Sequence, residues 1–245
     1  MPIFFTRNKM RKRVELWALV TLGLGLIVAS WQAWLPYSLT ETLGFVTGVA
    51  CVYLVVKRNI LNFPIGIANN VFFIILFLKA RLYGDAGLQV VYIALGLHGW
   101  YWWLRGGHQR TALVVAHAAP KTLGLLSGGI LLGTAGLTLT LQAVNGSAPV
   151  LDALTTVLSL AAQLLLNYKL IENWYVWLVA DVIYIYLYVS RGLHLTAILY
   201  FVFLFLCVAG LISWWRALAR QSADGKAAPT DTIPARPGEG AVSNG

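Results

Sequence analysis

Charge is scarce in this chain. Only 11% of its 245 residues are Asp, Glu, Lys or Arg, nine of them acidic, while 59% are hydrophobic. So few charges cannot coat a water-soluble globule of this size, which excludes a cytosolic enzyme. Cysteine is scarcer still. Cys51 and Cys207 both lie in apolar runs, and they supply neither a disulfide framework nor the clustered ligands of a zinc site. No HExxH motif, Ser/His pair at workable spacing or ATP-binding motif is present, and His98, His108, His117 and His194 are scattered. The sequence therefore offers nothing for an intramembrane hydrolase and calls for neither cofactor nor metal.

What the chain has in abundance is long apolar runs. A bilayer core takes about 20 apolar residues of helix, and eight stretches qualify: 14–35, 39–57, 62–79, 84–104, 122–143, 150–169, 172–190 and 193–216. The first is read as a retained span, because it is long for a signal core and ends in Trp31-Gln-Ala-Trp-Leu-Pro instead of small residues. Placing the N-terminus in the cytoplasm puts fifteen of the eighteen Lys and Arg on that side and leaves Lys79, Arg81 and Arg191 outside. The positive-inside rule then sets both termini in the cytoplasm. The net charge of +9 is thus a topology signal and not a nucleic-acid footprint. Residues 217–245 are expected to form a disordered cytoplasmic tail.

Shifting the chain by 111 residues lays Glu41–Leu104 over Asp152–Trp215 without a gap, with 16 identities in 64 positions. Among these are Asn62 with Asn173, Gly99 with Gly210 and Trp103 with Trp214; Asn70 answers Asp181. Each repeat holds three spans and one span lies between them, so the expected fold is an all-α membrane protein. Its architecture is a parallel 3+1+3 repeat with one extra N-terminal helix. The units are 1–38 (basic N-terminus and extra helix), 39–104, 105–149 (loop and linker helix), 150–216 and the tail. In the linker, Gly129-xxx-Gly133 reads as a close helix-packing pattern.

Polar residues fall in stripes. Asn173, Trp177, Asp181, Tyr184 and Tyr188 recur at steps of four, four, three and four, on one helix face. Asp181 stands out, because an aspartate at the centre of a membrane helix costs about 2.5–3.5 kcal/mol on insertion scales and marks a pathway or ligand site. Every Lys and Arg lies near a predicted span end, which leaves Asp181 protonated, hydrated or paired with a cationic ligand. Trp174, Trp177 and Tyr184 lie within two turns of it, and aromatic faces beside a carboxylate suit a flat organic cation. The competing reading is structural: Trp100, Trp102, Trp103, Trp214 and Trp215 close their spans as interfacial anchors, Asp85 and Asp152 serve as first-turn acids, and His98 is a hydrogen-bonded core histidine.

The runs Asn62-Phe-Pro-Ile-Gly-Ile-Ala-Asn-Asn, Leu82-Tyr-Gly-Asp-Ala-Gly-Leu-Gln89, Gly99-Trp-Tyr-Trp-Trp103 and Glu172-Asn-Trp-Tyr-Val-Trp177 resemble the PnuC family of vitamin transporters over about residues 39–216. The resemblance implies a fold related to the SWEET transporters and a bacterial inner-membrane location. It also implies facilitated uptake of nicotinamide riboside, trapped by a cytoplasmic vitamin kinase, and assembly as a homotrimer. Thiamine and riboflavin are the alternative substrates. By position the binding residues are Asn69, Gln89, Asn173, Trp174, Trp177 and Asp181, to which the stripe adds Tyr184. The chain departs from the family at Asp181, where nicotinamide riboside carriers often have Asn, and at Gly96-Leu-His98. Nicotinamide riboside and thiamine are cations that a buried carboxylate favours, so neutral riboflavin ranks last. A seven-helix receptor of the retinal type would need a lysine in the last span, which 193–216 lacks.

Overall fold

The computed structural model describes residues 3–79, 83–144, 148–190 and 194–223. It is helical: α1 (Ile3–Trp31), α2 (Leu39–Val56), α3 (Asn62–Lys79), α4 (Tyr83–Arg105), α5 (Pro120–Ala143), α6 (Pro149–Asn167), α7 (Asn173–Ser190) and α8 (His194–Ala223). Among the described residues four stretches are long and apolar enough to cross a bilayer, in α2, α5, α6 and α8, with shorter apolar stretches at Trp17–Trp31 and Asn62–Leu78. α7 falls short on hydropathy for a chemical reason. Its 18 residues include Asn173, Asp181, two Trp and four Tyr. α8 runs seven residues past the expected span end at 216, so the predicted tail begins within a helix. The rest of that tail, from residue 224, lies outside the described residues.

Local chemistry sets the helix starts. Ser38 caps α2 in a reciprocal box: its hydroxyl accepts from the Glu41 N–H, and the Glu41 carboxylate accepts from the Ser38 N–H at 2.7 Å. α5 and α6 open on Pro120 and Pro149, where a missing N–H costs nothing. α3 and α7 open on asparagines whose amides donate back three residues, Asn62 to the Asn59 carbonyl (2.7 Å) and Asn173 to the Leu170 carbonyl (2.6 Å).

Consecutive helices pack within α2–α3–α4 and within α6–α7–α8, and the two triplets meet where α2 lies against α8 and α4 against α6. α1 rests on α2, and α5 on α6. Residues 111 apart make matching contacts. The Trp103 indole donates to the Leu166 carbonyl (3.0 Å) and that of Trp214 to the Val55 carbonyl (3.1 Å), each joining one triplet to the other. Phe63 meets Trp103 edge-on at 5.1 Å, as Trp174 meets Trp214 at 5.4 Å. Arg58 and Lys169 both adopt left-handed backbone, with φ of 55° and 51°. Gly99 and Gly210 leave the room these rings need: a Cβ would strike Phe63 and Asn167 at the first and the Trp174 ring at the second.

The connection from α4 to α5 is laced across this end. Its Ala116 bridges the α6–α7 turn, donating to the Lys169 carbonyl and accepting from the Ile171 N–H. Glu172 holds His117 at 2.9 Å and accepts from the Ala118 N–H, and Lys169 Nζ donates to the Leu113 carbonyl at 2.6 Å. Val115 is thereby buried in the core with Trp103, Trp174 and Trp214. In α5, Gly133 meets Val157 of α6 while Gly129 faces open space, so one glycine of the expected packing pair touches a neighbour.

Gly210→Ala is expected to destabilise the purified protein by about 1–3 kcal/mol, the usual cost of overpacking, whereas Gly128→Ala, which meets nothing within 4 Å, leaves the thermal midpoint unchanged or slightly raised. Equal midpoints for the two variants contradict the packing described.

Candidate functional site

Asp181 lies nine residues into the 18-residue α7, between two aromatic layers. Toward the laced end, Trp103, Trp174 and Trp214 are almost fully buried. Toward the other end, Tyr184, Tyr188 and Tyr200 pack ring on ring, with centroids 4.4 Å apart for Tyr184–Tyr200 and 5.3 Å for Tyr188–Tyr200. The carboxylate itself is 1% exposed. Its hydrogen-bond partner among the described residues is the Cys207 thiol of α8, 3.3 Å from Oδ2.

The sequence-selected residues divide between these layers. Trp177 and Tyr184 sit one turn to either side of Asp181 on its face, Trp177 half-buried against the tryptophan core and the Tyr184 hydroxyl 3.2 Å from Ser159 of α6. Asn173 and Trp174 belong to the tryptophan layer. Both are buried, and the Asn173 Oδ1 and the Trp174 indole N–H have no partner among the described residues. An unsatisfied buried polar group costs about 1–3 kcal/mol, and each of these atoms retains the capacity for one more hydrogen bond. Asn69 is in the first triplet, where its amide donates to the Gly44 carbonyl (2.7 Å) and the Thr47 hydroxyl (3.0 Å) of α2. Gly48 leaves space for both Asn69 and the Phe203 ring of α8. Gln89 is half-buried on α4, one turn from Tyr92, which lies beside Ser159 and Tyr184. His98 accepts from the Trp102 indole at 2.8 Å, as a structural histidine does. The side chain of Asp85 is outside the described residues.

Ser159, Tyr200 and Cys207 complete the surroundings of Asp181 without having been singled out as binding residues. Helical spacing offers a signal for the first two: Ser159 lies four residues before Gln163 on α6, and Tyr200 answers Gln89 under the 111-residue offset. Together these groups present a carboxylate, hydroxyls and electron-rich ring faces, a combination that attracts a flat cation. No cluster that could hold a metal ion occurs among the described residues. A cavity of about 430 Å³ lies elsewhere, between α5 and α6, lined by Leu125, Ile130, Val157 and Leu164 among others; its apolar walls suit hydrocarbon and not a polar solute.

Residues 38–216 match the model of a family described as nicotinamide mononucleotide transporter, a stretch that contains both aromatic layers and Asp181. The chain belongs to this family, that of the PnuC transporters. Within it, the chain is similar to the nicotinamide riboside transporter PnuC of Escherichia coli K12, with 26% identity over 200 residues covering 71% of this chain and 84% of the relative. It is also similar to the riboflavin/roseoflavin transporter RibM of Streptomyces davaonensis, with 25% identity over 189 residues covering 75% and 87%. A solved structure described as the vitamin B3 transporter PnuC shares the fold, with a TM-score of 0.66 and 24% identity over 85% of this chain and 92% of that one. This is therefore an integral membrane protein of a vitamin-transporter family.

Two cations flank the tryptophan layer of this PnuC-family chain. Arg58 donates to the Ser213 carbonyl, and Lys169 lies 4.3 Å from the centre of the Trp103 ring. Burial, aided by the charge of Arg58, pushes Lys169 down from its ordinary 10.5 to about 8. The unfolded chain then holds more protons between those values, so stability rises as pH goes from about 8 toward 10.5. Thermal unfolding across that window is expected to show this rise in the wild type and a smaller one in Lys169→Met; identical slopes contradict it.

Proposed function

We propose that this protein is a uniporter for nicotinamide riboside in the bacterial inner membrane, with uptake made unidirectional by phosphorylation at a cytoplasmic kinase. The observation that carries this reading is Asp181: a carboxylate buried in mid-helix between aromatic layers, bonded to a thiol and to no protein cation among the described residues. A permanently cationic pyridinium ring matches that environment, since a charge held away from water is retained where it meets its counter-ion. The E. coli relative named as a nicotinamide riboside transporter supports the same substrate.

In this account α1 to α8 are eight spans, arranged as parallel triplets α2–α4 and α6–α8 joined by α5, with α1 extra and both termini cytoplasmic. The matched contacts 111 residues apart support the repeat, and the excess of Lys and Arg supports the orientation. The chain assembles as a homotrimer. The substrate lies between the triplets. Asp181 offsets the ring charge, Trp177 and Tyr184 supply ring faces, and Asn69 and Gln89 bond the ribose hydroxyls. The Asn173 oxygen and Trp174 N–H, about two turns from Asp181 toward the laced end, meet the polar groups of the substrate as it passes through that layer. Access alternates as the triplets rock about the α2–α8 and α4–α6 contacts.

Riboflavin is the second reading, favoured by the similarity to RibM. Charge separates the two, because a neutral isoalloxazine gains nothing from a carboxylate. Removing one partner of a buried charge pair costs about 2–5 kcal/mol, so Asp181→Ala is expected to reduce nicotinamide riboside uptake into proteoliposomes at least about thirtyfold, and Asp85→Ala far less. Uptake of riboflavin but not nicotinamide riboside by the wild type, or equal losses in the two variants, refutes the proposal.

A further inference from the structure

The tyrosine layer contains more than a lining. Tyr184 and Tyr188, one turn apart on α7, have nearly parallel rings (11°) with centroids 5.7 Å apart. They share the inward face of Asp181, while Val182, Tyr186 and Val189 are exposed on the outer face. The matching residues of the first triplet, Phe73 and Phe77, also stack, at 5.7 Å and 29°. The likeness ends at the third partner. Where the second triplet places Tyr200 against both tyrosines, the residue 111 positions earlier is Gln89, which has no ring. At four matched positions acid and hydroxyl are one-sided too: Asp181, Tyr184, Tyr188 and Ser159 answer Asn70, Phe73, Phe77 and Gly48.

We propose that the paired faces of Tyr184 and Tyr188 are the recognition surface for the flat cationic ring of the substrate, and that Tyr200 competes with that ring for them. This rests on the reading of the site as one for a cationic vitamin and adds to it the element that selects for planarity and charge. A ring cation is attracted within about 6 Å of a tyrosine face, and Tyr184 places such a face one turn from the carboxylate. Tyr200 covers both faces from α8 in the conformation seen here.

Its displacement acts on a helix tied to two neighbours, α2 and α7. Phe203, packed on Tyr200 at 5.6 Å, faces Gly48 of α2; Cys207 bonds Asp181; and Trp214 bonds the Val55 carbonyl of α2. A ring that pushes Tyr200 aside therefore shifts α8 against α2, where the triplets meet. Recognition and alternating access are linked through one side chain.

The test is calorimetric binding of nicotinamide riboside to the purified full-length chain, with thermal midpoints reporting folding. Tyr188→Leu is expected to weaken binding at least tenfold, and Tyr188→Phe to restore most of it, since the ring is kept. Tyr200→Leu, or Tyr200→Met should the first not fold, is expected to tighten binding at least threefold, because a competitor is removed. Packing damage alone would weaken binding in both leucine variants, so parallel weakening, or no change in Tyr188→Leu, overturns the inference while the proposed transport stands. A wild-type chain that binds no cationic vitamin removes the reading beneath it, and the inference falls with it.

Discussion

A bilayer core offers no water to a polar atom, so every polar group along these helices must find its partner inside the protein. Much of the structure follows from that constraint. Indole N–H groups, which interfacial tryptophans could leave to water, are instead turned inward at Trp103 and Trp214 to reach carbonyls at the ends of α6 and α2. Those two bonds, with the Phe63–Trp103 and Trp174–Trp214 edge contacts, tie the triplets together at one end. Gly99 and Gly210 are glycine because the rings that make these contacts occupy the space of a side chain.

Against that background the residues that do not satisfy themselves become informative. Asp181 keeps its carboxylate in the interior with a weak thiol donor, and the Trp174 N–H and Asn173 oxygen have no partner among the described residues. All three are on α7, along one face. The matching helix α3 carries Asn and Phe where α7 carries Asp and Tyr. Polar contacts from Asn69 bind α3 to α2, while the charge and ring faces that suit a cationic substrate gather on the second triplet. The matched positions thus diverge in chemistry, with acid and hydroxyl on α7 where α3 carries amide and bare ring.

Much of this was legible in the sequence. The stripe from Asn173 to Tyr188 lay on one face because helical spacing requires it, and Asp181 was conspicuous because acids are costly in hydrocarbon. The 111-residue offset was visible in Asn62, Gly99 and Trp103, and the structure supplies the reason for each: a helix-start bond, a ring against bare backbone, a bond between triplets. Other features were hidden for physical reasons. The segment before α5 has no helical period, and its pairing through Ala116 joins residues more than fifty positions apart. Cys207 sits in an apolar run, and only the crossing of α7 and α8 turns it toward Asp181. The end of α8 at Ala223 exceeds what hydropathy alone would set, since Arg216 and Arg220 are good helix formers that the index scores as breaks.

The role proposed for Asp181 is that of counter-ion to a cation that crosses without a coupled proton. Accumulation of nicotinamide riboside in proteoliposomes under an imposed membrane potential tests this most directly. One elementary charge gains about 2.3 kcal/mol per 100 mV, so a uniported cation should concentrate about fiftyfold on the negative side at 100 mV. Equilibration to equal concentrations at every potential would mean that a neutral species, or a cation exchanged for a proton, is carried, and would contradict the account.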